Sequence, residues 1–308
     1  MTLLDQAHHR QRTTAPTRTA LPAAGVLLAA VATVVWSGSF VAARALGDSV
    51  PPVQAAFWRW VLAILVVAPF GARAAWRQRA VIRRHLGWTV LTSLLGVTAY
   101  NTLVHQAGLS TPAGTMGLVM AASPVLMALY ERLGGVRLGA RRTAGTLTAC
   151  AGVALLVGSG GDAALPGVSD LWIVGAAVCF GSYSALLRRR PRELDGPALL
   201  FTTFTLGALM LLPLYAADVT VRGGFPLTAG TVGPLLYLGV FSSAVAFFAW
   251  NRAVALVGAA RAGVVYYLQP VCVALLAFVL LGETMGPAGT VAMGLVLGGV
   301  ALGAGRSG

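Results

Sequence analysis

A chain of 308 residues that is 57% hydrophobic and only 10% charged lacks the polar material to cover a water-facing surface of its own size. Its 22 basic residues, all arginine, outnumber 9 acids for a formal charge of +13, yet they stand in short breaks between apolar runs, which excludes a nucleic-acid-binding domain as the source of the charge. The three cysteines, Cys150, Cys179 and Cys272, fall inside apolar runs without metal-ligand spacing, so neither a disulfide framework nor a metal site is readable.

Residues 1–22, with Thr, Arg, Pro and His and no apolar period, read as a disordered cytoplasmic tail. Ten apolar runs follow, at 23–46, 52–70, 87–109, 112–131, 143–160, 170–187, 196–216, 231–251, 260–281 and 286–304. Each is near the ~20 residues an α-helix needs to cross ~30 Å of hydrocarbon. The first run is too long for the core of a cleaved signal peptide, about 7–15 residues, and reads as a span. Pro51-Pro52, Pro112, Gly160-Gly161, Pro197 and Pro287 mark short joins that force neighbouring helices to be antiparallel.

The arginines test this count. With the amino terminus inside, only Arg44 and Arg222 fall on the outer side and Arg59 within a span, while Asp48, Asp162, Asp170, Asp218 and Glu283 lie outside. Positive charge therefore accumulates at every alternate loop, which places both termini in the cytoplasm. The lysine-free, Ala/Gly/Val/Arg-rich composition points to a bacterial plasma membrane.

Runs three to five and eight to ten superpose with a shift of 146 residues, which puts Ala107, Gly117, Pro124 and Val125 on Ala253, Gly263, Pro270 and Val271. Leu95-Gly96-Val97 matches Leu238-Gly239-Val240, and Gly38-Ser39-Phe40 matches Gly181-Ser182-Tyr183, at a shift of 143. Five spans per copy is an odd number, so the second copy enters the membrane from the opposite side. The expected fold is an all-α integral membrane protein of ten transmembrane helices in two inverted five-helix repeats, residues 23–160 and 168–304. Inverted repeats are a recurrent architecture of secondary transporters, with the substrate site near mid-membrane where the copies meet.

The run Trp36-Ser37-Gly38-Ser39-Phe40, Pro52 followed by Phe57-Trp58-Arg59, and the stretch from Pro270 to Gly282-Glu283 resemble the drug/metabolite transporter superfamily, EamA type, over about residues 23–304. The resemblance implies a ten-helix inverted-repeat carrier of small metabolites, often amino acids or their relatives, commonly moving them outward. Arg137 stands where the first repeat would match Glu283, so the resemblance assigns that position no indispensable role.

Arg59 lies about seven residues into its span, and an arginine at that depth is costly unless it faces the bundle interior or a wet cavity. Its planar fork suits the carboxylate of an organic anion or amino acid; the bland alternative is packing through carbonyls and Asp48. Trp36, Ser39, Phe40, Tyr100, Asn101, His105, Gln106, Trp250, Asn251, Tyr266, Tyr267 and Gln269 are the other polar or amphipathic residues of the spans, and as a set they point to a substrate cavity. Singly, each is equally served by hydrogen bonds between helices. Pro124 and Pro270 hold matching mid-span positions and read as gating kinks or static bends. Arg44 reads as an interfacial anchor that could share a ligand carboxylate, and His105 as the one in-span proton carrier. Gly294 and Gly298 match a small-xxx-small pattern that suits a homodimer or internal packing.

The sequence thus reads as a carrier of a small-molecule metabolite, embedded in lipid, without cofactor, metal, catalytic group or nucleic-acid partner. An integral-membrane enzyme acting on lipid would need convergent acids, and Glu131, Glu193, Asp195 and Glu283 are scattered over different loops. A non-transporting scaffold would have no reason to keep a polar interior.

Overall fold

The computed structural model describes residues 20–121, 139–158, 168–257, 262 and 265–304. Every regular element among them is helical: α1 (Ala20–Leu46), α2 (Pro52–Arg77), α3 (Arg79–Arg84), α4 (Leu86–Ser93), α5 (Tyr100–Ala107), α6 (Ala113–Ala121), α7 (Ala140–Gly158), α8 (Val168–Arg188), α9 (Gly196–Arg222), α10 (Ala229–Leu236), α11 (Ala246–Val257), α12 (Gln269–Leu281) and α13 (Pro287–Ala304). Two wider π-helical turns, π1 (Leu94–Ala99) between α4 and α5 and π2 (Tyr237–Val245) between α10 and α11, complete the set.

Among the described residues, four stretches are long and apolar enough to cross a membrane: Ala23–Leu46, Pro52–Arg77, Gly196–Arg222 and Ala229–Ala253. Leu171–Leu187, Gln269–Leu281 and Pro287–Gly299 are shorter apolar helices. Helix α1 opens inside the expected tail; residues 1–19, and the expectations for Pro124, Glu131, Arg137 and Gly160-Gly161, lie outside the described residues.

Local chemistry sets the helix ends. Pro52, Pro197 and Pro270 sit in the first turns of α2, α9 and α12, where a missing N–H costs nothing. Asp195 caps α9, its Oδ1 accepting from the Ala198 amide at 2.8 Å. Gly282 ends α12 at φ 67°, a left-handed cap that favours glycine. Prolines inside a helix are Pro69 in α2, Pro213 in α9 and Pro234 in α10, the first two 144 residues apart as are the starts of α2 and α9.

The two halves pack reciprocally. Helix α1 of the first lies on α11 of the second, as α8 of the second lies on α5 of the first; α2 pairs with α9, α6 with α12 and α7 with α13. Alanines with almost no exposure, among them Ala29, Ala32, Ala56, Ala63, Ala253 and Ala292, fill these contacts. Small side chains let backbones approach, which is how helices associate where lipid removes the hydrophobic drive. Bulky apolar residues such as Phe70, Trp76, Val221 and Phe248 are exposed instead, the reverse of a water-soluble core. In α13 it is Gly299 that meets the α7 backbone, at Ala149 and Gly145, while Gly294 and Gly298 face open space.

Polar ties join the halves at both ends of the α2/α9 pair. At one end Gln54 Nε2 donates to Asp218 Oδ2 and to the Gly223 carbonyl, both at 2.9 Å. At the other, Gln78 Nε2 donates to Asp195 Oδ2 at 2.8 Å and Gln78 Oε1 accepts from the Asp195 amide at 3.1 Å.

Candidate functional site

The α2 residue Arg59 is 6% exposed and points across to the second half. Its Nε donates to Ser243 Oγ at 3.0 Å and its Nη2 to Ser242 Oγ at 3.2 Å. Among the described residues no carboxylate pairs with it, and Asp48 does not reach it. The contact is made by π2, where Gly239 leaves room for the main chain of Arg59 and the side chain of Leu62; a Cβ there would collide with both. The Ser243 hydroxyl donates its own hydrogen bond to the Leu238 carbonyl at 2.9 Å, so its lone pairs face the guanidinium.

Around this cation the structure gathers most of the residues expected from sequence. Tyr100, Tyr237 and His105 lie within electrostatic reach of the guanidinium, and Arg59 stands 5.4 Å from the Trp60 ring centroid. Trp36 donates its indole N–H to the Ser242 carbonyl at 3.0 Å, which puts one serine between guanidinium and indole. The Trp36 ring meets Phe247 at 5.3 Å, Trp250 at 5.5 Å and Tyr266 at 5.9 Å, a four-ring box from α1, α11 and the turn before α12. The backbone carbonyl of Gln269 accepts from Ser37 Oγ at 3.3 Å.

The first-half turn π1 is held in the same way. Asn101 Nδ2 donates to the carbonyls of Gly96 and Val97 at 3.2 and 3.1 Å, and the Trp60 indole shares the Val97 carbonyl at 3.2 Å. The wide turns π1 and π2 thus lie at matching places in the two halves, on the repeated Leu-Gly-Val strings, and each contributes to the polar interior.

Some expected residues stand elsewhere. Asn251 is exposed, because the α11 face that packs on α1 carries Ala246, Ala249 and Ala253. Phe40 belongs to an apolar core with Val41, Val104 and Met116, and the Ser39 hydroxyl is spent on the Trp36 carbonyl at 2.6 Å. Pro270 is not a mid-span kink: the chain turns at Tyr267-Leu268 and α12 begins at Gln269, so the ring occupies a first-turn position where it breaks no bond. Gln106 is half-buried in the last turn of α5, and the three cysteines are free.

Sequence reasoning missed Ser242, Ser243, Tyr237 and Phe247. A Ser-Ser doublet inside an apolar run was the available signal. It also left Arg44 and Glu283 unjoined, whereas Arg44 Nε meets Glu283 Oε1 at 3.1 Å while its Nη1 donates to the Gly108 and Leu109 carbonyls at 3.1 and 3.2 Å. Glu283 Oε2 accepts from the Ala113 amide at 2.8 Å, so one carboxylate binds the ends of α1, α6 and α12 together. The other described acids are dispersed: Glu193 by His85 and Arg84, Asp195 by Gln78, Asp218 by Gln54 and Arg222.

The model of the EamA-like transporter family matches the chain twice, at residues 23–158 and 167–304. A "Probable terminal-alkyne amino-acid exporter" of Streptantibioticus cattleyicolor is 33% identical over 280 residues, 87% of this chain and 89% of that one. An "Uncharacterized transporter" of Archaeoglobus fulgidus is 28% identical over 274 residues, 83% of this chain and 89% of that one. One solved crystal structure has a TM-score of 0.61 at 24% identity, covering 91% of this chain and 96% of the other, a likeness of fold.

Proposed function

The chain belongs to the EamA-like transporter family, and from that premise we propose that it is a secondary carrier exporting a small organic metabolite, an amino acid or a close relative, by alternating access. Ten spans form two inverted five-helix repeats in the plasma membrane, both chain ends face the cytoplasm, and the substrate sits between the repeats. The reciprocal packing of α1 on α11 and α8 on α5 supports the inverted arrangement. The exporter of Streptantibioticus cattleyicolor supports the amino-acid class and the outward direction.

One observation carries the reading. Arg59 is buried at the seam between halves, held by two neutral hydroxyls and by no acid among the described residues. A desolvated guanidinium without a counter-charge is expensive in a membrane interior. A substrate carboxylate would supply that charge through a two-pronged contact. Ser242 and Ser243 hold the fork open without competing for it, and the ring box of Trp36, Phe247, Trp250 and Tyr266 offers an apolar wall to the remainder of the molecule.

The test is efflux from proteoliposomes loaded with each of a panel of radiolabelled amino acids. Wild-type protein should move at least one of them, and Arg59→Gln should lower its transport about tenfold or more at unchanged expression, the scale of a lost charge-assisted contact. Normal transport by Arg59→Gln removes the residue from the site. Turnover of a lipid in detergent, with no movement between compartments, would replace the carrier by an enzyme.

A further inference from the structure

Gln54 Oε1 on α2 and the Thr202 and Thr205 hydroxyls on α9 are buried without a hydrogen-bond partner among the described residues, and so are three acceptors linked to the Arg59 site: Asn101 Oδ1, His105 Nε2 and Gln269 Oε1. Their side chains belong to residues 1%, 2% and 3% exposed. A buried acceptor left unpaired has lost its water without gaining a protein donor, so three together in one interior are a standing demand for donors. The orientation of Asn101 is not a matter of choice: its amide nitrogen must face the carbonyls of Gly96 and Val97, to which it donates, and this turns Oδ1 the other way as an acceptor.

These atoms adjoin the cation site. Asn101 and Trp60 share the Val97 carbonyl, and Arg59 stands over the Trp60 ring. His105 is one turn beyond Asn101 on the same face of α5 and feels the charge of Arg59. Gln269 reaches the same region through its main chain, whose carbonyl accepts from Ser37, the neighbour of Trp36, and the Trp36 indole donates to Ser242, a partner of Arg59. The unmatched inventory linked to the cation site is thus one cation and three acceptors, His105 Nε2 being an acceptor when its ring proton sits on Nδ1.

We propose that Asn101 reads an ammonium group: its Oδ1, seconded by His105 Nε2 and Gln269 Oε1, accepts N–H donors of a substrate whose carboxylate lies on Arg59. The site then selects zwitterionic α-amino acids against acids of the same skeleton that lack the amine. A plain carboxylate would neutralise Arg59 and leave all three acceptors dry, whereas an ammonium brings three donors to three acceptors. The inference rests on the carrier reading above but asks a separate question of the same site.

The experiment measures dissociation constants of matched pairs for the purified full chain by ligand-induced thermal stabilisation. The pairs are alanine and propanoate, norleucine and hexanoate, and phenylalanine and 3-phenylpropanoate. The amino member of at least one pair should bind about tenfold tighter or more, the scale of charge-assisted hydrogen bonds to neutral acceptors. Equal binding within every pair overturns the ammonium site and leaves Arg59 as an anion site; no binding by any of the six overturns the carrier reading as well. In Asn101→Ala the preference should fall towards unity with the des-amino acids still bound, and a preference that persists in that variant overturns the role of Asn101. Because Asn101 also steadies π1, His105→Leu is the second variant, expected to reduce the preference several-fold without touching the π1 carbonyls; an unchanged ratio there, with Asn101→Ala unfolded, likewise overturns the trio.

Discussion

Replacing Glu283 with alanine should free one end of the bundle far more than replacing it with glutamine. Its Oε1 pairs with Arg44 at 3.1 Å and its Oε2 caps α6 at the Ala113 amide at 2.8 Å. The pair is 30% and 21% exposed at its two side chains, so it contributes about 0.2–1 kcal/mol, as half-solvated ion pairs do. The helix cap adds about 1 kcal/mol. Glutamine keeps an oxygen for Ala113 and loses only the ion pair, whereas alanine loses both, about 1.2–2 kcal/mol in all. An equilibrium between closed and open forms of that end would shift roughly 2- to 5-fold for Glu283→Gln and roughly 8- to 30-fold for Glu283→Ala. The assay is the rate at which a membrane-impermeant maleimide reaches a cysteine placed at Val104, buried one turn below the clamp, in a background lacking Cys150, Cys179 and Cys272. Equal rates for Gln and Ala, or no change with either, would refute the division of labour between the two carboxylate oxygens.

Two further outcomes follow from packing. A methyl group in Gly38→Ala would collide with the Tyr237 hydroxyl, which is held in place by donating to the Val35 carbonyl at 2.6 Å; the expected cost is about 1–3 kcal/mol in thermal unfolding. Tyr237→Phe should recover about 1 kcal/mol of it, and strictly additive melting shifts would show that the hydroxyl is not the obstacle. Pro270→Ala should change stability by less than about 1 kcal/mol and leave transport near wild type, because a first-turn proline breaks no bond, whereas an interior kink involves about 3 kcal/mol. Abolished transport in a stable Pro270→Ala protein would restore the gating role.

Burial of a cation was legible in the sequence; its partners were not. Arg59 stood out because charge inside an apolar run has few explanations, but Ser242 and Ser243 lie 183 and 184 residues away and only folding brings them together. The spans were read from hydropathy, which stops at the hydrocarbon edge, so α2 and α9 were drawn short of Arg77 and Arg222, where the helices in fact end. Neither π turn was visible, since Leu94–Ala99 and Tyr237–Val245 carry the composition of their α-helical neighbours. The repeated Leu-Gly-Val string marked their positions without revealing their geometry. Asn251 misled for a related reason: an amide in a span announces polarity, while the face it occupies depends on where the alanines of α11 fall. Pro270 misled because hydropathy continues unbroken through Tyr267-Leu268 although the helix does not.

The doublet of α2 and α9 is fastened at both tips, by Gln54 with Asp218 and by Gln78 with Asp195. Ties at both tips resist shear between the two rods, so in the proposed alternating-access cycle α2 and α9 would form the axle about which one half swivels. Spin labels on their facing sides would keep a constant separation through the cycle, and the distances that change would be those measured across α1, α6 and α12.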